Sequence, residues 1–182
     1  MAFLTAGYPD RARFPEVLRT IAEVADAVEI GVPFSDPMAD GVTIQRASHA
    51  ALAQGVTLRA TLAQLRELPP LRAPLVLMGY VNPFLAYGPE RLAADAAAAG
   101  VCGLIVPDLP HEERELFAAP LAAQRIALVP LVTPVTPADR LRAICASARG
   151  FVYAVTVTGT TGGAAGVPPA AYLDAVRAVA SV

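Results

Sequence analysis

Ala27-Val28-Glu29-Ile30-Gly31-Val32-Pro33-Phe34-Ser35-Asp36-Pro37-Met38-Ala39-Asp40-Gly41 is the stretch on which the reading of the whole chain turns. Ala27 to Gly31 form a short, mainly apolar run closed by glycine, which reads as a strand buried on both faces. Val32 to Gly41 carry two prolines and two aspartates, so they cannot continue the strand and read as a rigid loop. A buried strand feeding a connection is half of a strand–helix unit.

The unit recurs. Ala2-Phe3-Leu4-Thr5, Leu75-Val76-Leu77-Met78, Val101 to Val106, Ile126 to Val132 and Phe151 to Val155 are similar runs, each followed by a helical pattern. Phe14, Val17, Leu18 and Ile21 stand at i, i+3, i+4 and i+7 on one helix; Leu141, Ile144 and Cys145 mark another, and Tyr172, Leu173, Val176 and Val179 a last one. Pro89 and Pro137 fit first helical turns, with Thr136 as an N-cap, and Gly100 and Gly150 fit helix stops. Pro120 predicts a late start or a kink in a helix over 112–124. Strand starts recur about every 25 residues, with about 48 between the second and third. Uninterrupted repetition predicts a (β/α)8 TIM barrel, because an open sheet of this type would expose apolar edges. Six of eight units are expected, as a single partial barrel domain over residues 1–182 that is a fragment of a longer chain.

Composition excludes several classes of chemistry. The chain is 55% hydrophobic but 6% aromatic, with a net charge of −2, so no basic footprint for nucleic acid or acidic membrane is present. No apolar run reaches the roughly 18 residues of a membrane span, and the first residues lack the pattern of a secretory signal, which predicts a cytoplasmic protein. All 14 basic residues are arginines. Without lysine these residues offer no Schiff base, no internal pyridoxal-phosphate lysine and no Walker-A lysine. Cys102 and Cys145 have no metal or disulfide spacing, and no metal site is expected; both are read as buried core thiols. His49 and His111 receive no role.

Glu29 and Asp40 carry the chemistry in this reading. A carboxyl inside an apolar strand costs several kcal/mol if ionised and unpartnered, so its pKa rises toward the range useful for acid–base work. Asp40, in a polar loop after two prolines, is expected to stay ionised. Two carboxyls in different environments can divide proton transfer and charge stabilisation. Structural roles, an arginine partner for Glu29 and a turn or cap for Asp40, are the competing readings.

Glu29 to Asp40, continued by Gly41-Val42-Thr43-Ile44-Gln45, closely resembles the tryptophan synthase alpha subunit family. Phe3-Leu4-Thr5-Ala6-Gly7-Tyr8-Pro9, Met78-Gly79-Tyr80-Val81-Asn82-Pro83, Val106-Pro107-Asp108-Leu109-Pro110 and Tyr153 through Gly162 continue the match in order. The resemblance implies retro-aldol cleavage of indole-3-glycerol phosphate to indole and glyceraldehyde 3-phosphate. It assigns Glu29 as the acid/base and Asp40 as the carboxylate that holds the indole N–H. Tyr153 and Thr161 are implied as supporting residues, Thr161 in a lid loop, and Phe3, Met78, Tyr80 and Gly162 as substrate-binding residues. Pro33, Asp36, Pro37, Asn82, Asp108 and Pro110 are implied at the contact with a beta subunit, in an α2β2 tetramer. No cofactor is expected in this chain; pyridoxal phosphate belongs to the beta partner. Most of the family's phosphate grip lies after strands seven and eight, outside these residues. A stand-alone indole-releasing relative and a non-catalytic partner-binding fragment are the alternatives.

Overall fold

A computed structural model describes residues 1–156 and 169–180. Strands β1 (Ala2–Thr5), β2 (Val28–Gly31), β3 (Leu75–Met78), β4 (Val101–Ile105) and β5 (Ala127–Val129) form one parallel sheet in chain order. β6 (Leu131–Val132) pairs in parallel with β7 (Tyr153–Ala154). The helices are α1 (Phe14–Val24), α2 (Val42–Ala53), α3 (Leu58–Arg66), α4 (Val81–Tyr87), α5 (Pro89–Ala98), α6 (Glu115–Ala123), α7 (Ala138–Ala146) and α8 (Ala170–Val179). Parallel strands in sequential order with helical crossovers are the barrel arrangement, here as an arc of six strand positions.

The run from Ile126 to Val132, read as one strand, is divided by Pro130. Proline has no amide hydrogen to donate, so the ladder breaks there. The Pro130 carbonyl accepts from the Tyr153 N–H at 2.9 Å. β5 pairs with β4 on one side of the break and β6 pairs with β7 on the other. One segment thus joins the two sheets.

Strand register decides which side chains share a face, since neighbours in register point the same way and alternate along each strand. Phe3, Glu29, Val76, Gly103 and Ala127 form one row, and Thr5, Gly31, Met78, Ile105 and Val129 form the next row of the same face. Val76, Ile105 and Val129 cluster with Met78, Phe151 and Tyr153 inside the arc. Leu4, Ile30, Leu77 and Leu104 face outward and join Phe14, Leu18, Phe84 and Phe117 in the main core under the helices. Apolar burial on the helix side holds the arc. The inner face is therefore free to carry polar groups.

The helix pattern holds with local differences. α1 buries Phe14, Leu18 and Ala22, and α8 buries Tyr172 and Val176. α2 and α3 both fit between β2 and β3, which accounts for the long spacing. A 3-10 turn at His111–Glu113 delays α6 to Glu115, and Pro120 lies inside that helix. Thr136 does not cap α7. Pro137 is the cap residue, and Thr136 Oγ1 instead accepts from the Thr133 N–H at 2.9 Å, closing the turn before the helix. Cys145 is buried, but Cys102 is exposed. The register between β3 and β4 shifts there, so that Leu75 pairs with Val101 and Val76 with Gly103. Cys102 is the extra residue of that irregularity and is turned out of the packed face. No helix among the described residues is long and apolar enough to cross a membrane.

Candidate active site

Glu29 sits in the middle of β2 on the inner face, between Phe3 and Val76 in its row, and is 4% exposed. Its pKa is pushed up from 4.5 to about 7. Burial is the largest cause and the Asp40 charge the second, while the amino terminus pulls the other way. No arginine forms a salt bridge with it among the described residues. The structural role of an arginine partner is therefore not filled here. Such a carboxyl is poised to give and take protons near neutrality.

Asp40 ends the loop after β2, immediately before the residue that caps α2. The loop is braced from several sides. The Tyr80 hydroxyl oxygen accepts from the Ala39 N–H at 2.9 Å, and Gln45 Nε2 donates to the Asp40 carbonyl at 2.9 Å. The Tyr80 hydroxyl also lies close enough to the Asp40 carboxylate to favour its charged form. Asp40 is less solvated than its loop position predicts: burial raises its pKa, and the Tyr80 hydroxyl opposes that rise. Tyr80 is buried, rests against Phe34 with ring centroids 5.4 Å apart, and has its phenol pushed up to about 12, chiefly by burial. It remains a donor across the physiological range.

Tyr153 enters from the opposite end of the arc, on β7. Burial and the charge of Glu29 both raise its pKa, so its phenol and that carboxyl share one space. A recess bounded by Phe3, Gly31, Asp40, Met78 and Tyr80 opens at the carboxyl ends of β1 to β3. A larger cavity of 890 Å³ runs from Asp40 and Met78 past Val129 and Leu131 to Tyr153. That volume suits a drug-sized or metabolite-sized ligand, for which pockets of about 300–1,000 Å³ are usual. The tertiary fold thus brings together Phe3, Glu29, Asp40, Met78, Tyr80 and Tyr153. Thr161 and Gly162 lie outside the described residues.

Gly31 belongs to this site although no role was assigned to it from sequence. A Cβ there would stand 2.5 Å from Phe3 Cζ, so the glycine makes room for that ring. A glycine inside an otherwise apolar strand was the available signal, because it marks close approach. Val76 and Val129 were also missed as inner-wall residues. Nothing in a fully apolar strand distinguishes its inner from its outer side chains.

The residues expected at a protein contact all follow the carboxyl ends of β2, β3 and β4. Asp36, Asn82, Asp108 and Pro110 are exposed, whereas Pro33 and Pro37 are buried within the chain. Among the described residues, no group of His, Cys, Asp and Glu gathers as a metal site.

Comparison with known proteins bears on this geometry directly. Residues 1–181 match the family model described as tryptophan synthase alpha chain. A tryptophan synthase alpha chain of Desulfovibrio desulfuricans is 51% identical over 182 residues, covering 99% of this chain and 71% of that protein. One from Roseiflexus castenholzii is 49% identical, covering 97% of this chain and 70% of the relative. Among solved structures, tryptophan synthase of Mycobacterium tuberculosis superposes with a TM-score of 0.92 at 39% identity, covering 100% of this chain and 70% of that one. A Legionella pneumophila tryptophan synthase alpha chain gives 0.87 at 31% identity, covering 100% and 67%. With its inner carboxyls on a matching barrel arc, the chain belongs to the tryptophan synthase alpha chain family, carbon–carbon lyases of tryptophan biosynthesis.

Proposed function

We propose that Glu29 and Asp40 carry out the retro-aldol cleavage of indole-3-glycerol phosphate, and that residues 1–182 act as part of one barrel domain. The observation that carries this reading is Glu29, a nearly inaccessible carboxyl with a pKa of about 7 beside a second carboxyl. Protonated Glu29 gives its proton to carbon 3 of the indole ring, which leaves a cationic indolenine and a Glu29 carboxylate. Asp40, ionised, accepts the indole N–H and balances the positive charge. The Glu29 carboxylate then takes the proton of the side-chain hydroxyl. The O–H electron pair becomes the carbonyl of glyceraldehyde 3-phosphate. The carbon–carbon pair returns to the ring as neutral indole, and Glu29 ends protonated, as it began.

Phe3, Met78 and Tyr80 form the wall against which an indole ring would lie, and Tyr153 shares the space of Glu29. Thr161 and Gly162 are assigned to lid closure and phosphate binding by resemblance. The exposed Asp36, Asn82, Asp108 and Pro110 form the face for a beta subunit, with Pro33 and Pro37 shaping the loop behind it. Pyridoxal phosphate would be the cofactor of that partner, the assembly an α2β2 tetramer, and the compartment the cytoplasm.

The test is indole release by the full-length protein, with and without a beta subunit. Glu29→Gln is expected to abolish turnover while retaining the far-UV spectrum of the parent. Near-normal cleavage by that variant would overturn the assignment.

A further inference from the structure

We propose that Asp108 is a positioning residue for Asp40: it fixes the first turn of α4 so that the Tyr80 hydroxyl holds the loop that carries the carboxylate. The proposal rests on the function given above for Asp40. Its structural basis is a series of contacts that joins the loops after β2, β3 and β4.

The first is a helix cap supplied from a distance. Val81 opens α4, and Tyr80 in the cap position makes no side-chain cap of its own. The first amide groups of a helix need an acceptor. Asp108, in the loop after β4, provides it: its Oδ1 accepts from the Val81 N–H at 2.9 Å. The residue that follows Tyr80 is thereby tied to a neighbouring strand end.

The second and third contacts belong to the Tyr80 side chain. Its oxygen accepts from the Ala39 N–H at 2.9 Å, and its hydroxyl favours the charged form of the neighbouring Asp40 carboxylate. A phenol oxygen can meet the Ala39 amide and face Asp40 only in one orientation, so its backbone must be held. The Phe34 ring restricts it from one side. Asp108 also lies near enough for its charge to add slightly to the rise that burial imposes on the Tyr80 phenol. Asp108 itself is exposed and has no packing role to explain its place.

The experiment uses the full-length protein with Asp108→Ala, Asp108→Asn and Tyr80→Phe, each alone and combined with Asp40→Asn. Asp108→Ala is expected to lower kcat roughly ten-fold, as loss of a hydrogen bond to an ionised group does. Asp108→Asn keeps an acceptor oxygen and should recover most of that loss. Amide hydrogen exchange should quicken at Val81 and at Ala39 in Asp108→Ala, and at Ala39 alone in Tyr80→Phe. Among the described residues, the titratable groups facing Asp40 are Glu29 of β2 and Tyr80. The acid limb of the kcat/KM profile should therefore move to higher pH in both variants, because Asp40 loses the steady support of a hydroxyl that favours its charge. In the Asp40→Asn background, Asp108→Ala should cost nothing further. Equal loss in both backgrounds, or unchanged exchange at Ala39 in Asp108→Ala, would overturn the positioning role. Full activity of Asp40→Asn alone would instead defeat the assigned function of Asp40, while the exchange data would still decide the contact series.

Discussion

Phe3 lays the far end of its ring over Gly31, so closely that a Cβ on Gly31 would stand 2.5 Å from Cζ and 2.8 Å from Cε2. The two residues lie on adjacent strands, with Phe3 opposite Glu29 and Gly31 opposite Thr5. The glycine thus sets where an aromatic wall sits beside Glu29.

Gly31→Ala is expected to displace that ring with little loss of stability. Phe3 is 39% exposed, so its ring can swing toward solvent. An aromatic contact misplaced from an indole ring costs about 0.5–1.5 kcal/mol, a rise in KM of about two- to twelve-fold. Steady-state kinetics beside a thermal melt will check it; a large fall in Tm with unchanged KM would contradict the account.

Glu29 should leave a signature in the pH dependence of stability. In the unfolded chain its carboxyl ionises near 4.5, and in the fold near 7. Below both values it is protonated in either state and contributes nothing. As pH rises through 4.5 the unfolded chain loses the proton first, so stability falls until the folded pKa is passed. Glu29→Gln removes this penalty. The variant is expected to be more stable than its parent at pH 8, by about 2–3 kcal/mol, and no more stable at pH 4. Urea unfolding at the two pH values will measure it, and an equal difference at both would refute the cause given.

Asp40→Asn removes the charge that adds to the rise in Glu29. The alkaline limb of the residual kcat/KM profile, which reports loss of the Glu29 proton, is expected to move to lower pH. Activity should fall by about 10²–10³, the scale for removing one group that stabilises developing charge. A limb that stays in place would show that the two carboxyls do not interact.

Phe84 and Phe117 meet edge to face in the main core, with centroids 6.4 Å apart and both rings fully buried. Phe117→Ala is expected to cost about 3–5 kcal/mol of stability. The urea midpoint should drop with little change in slope. Indole release at low temperature, where the variant remains folded, should change less than two-fold, since this ring lies on the helix side of the sheet.

Much of this protein was legible locally. Strand and helix order followed from periodicity, the prolines and aspartates from Val32 to Gly41 marked the loop, and an acidic residue in an apolar strand marked Glu29. The division at Pro130 and the exposure of Cys102 were not legible. Each depends on how a strand registers against its neighbours, which no single segment records.

The sequence by itself determined the repeating strand–helix order, the absence of lysine chemistry and the two carboxyls. Its resemblance to one family made the reaction specific. Only the tertiary structure decided that Glu29 points into the arc rather than under the helices, that Asp40 raises its pKa, and that Tyr80 and Asp108 brace the loop between them. The reason is physical. A side chain's hydropathy and helical or strand period are local properties, whereas desolvation, charge coupling and hydrogen bonding across 27 or 41 residues of chain exist only once the strands are laid side by side.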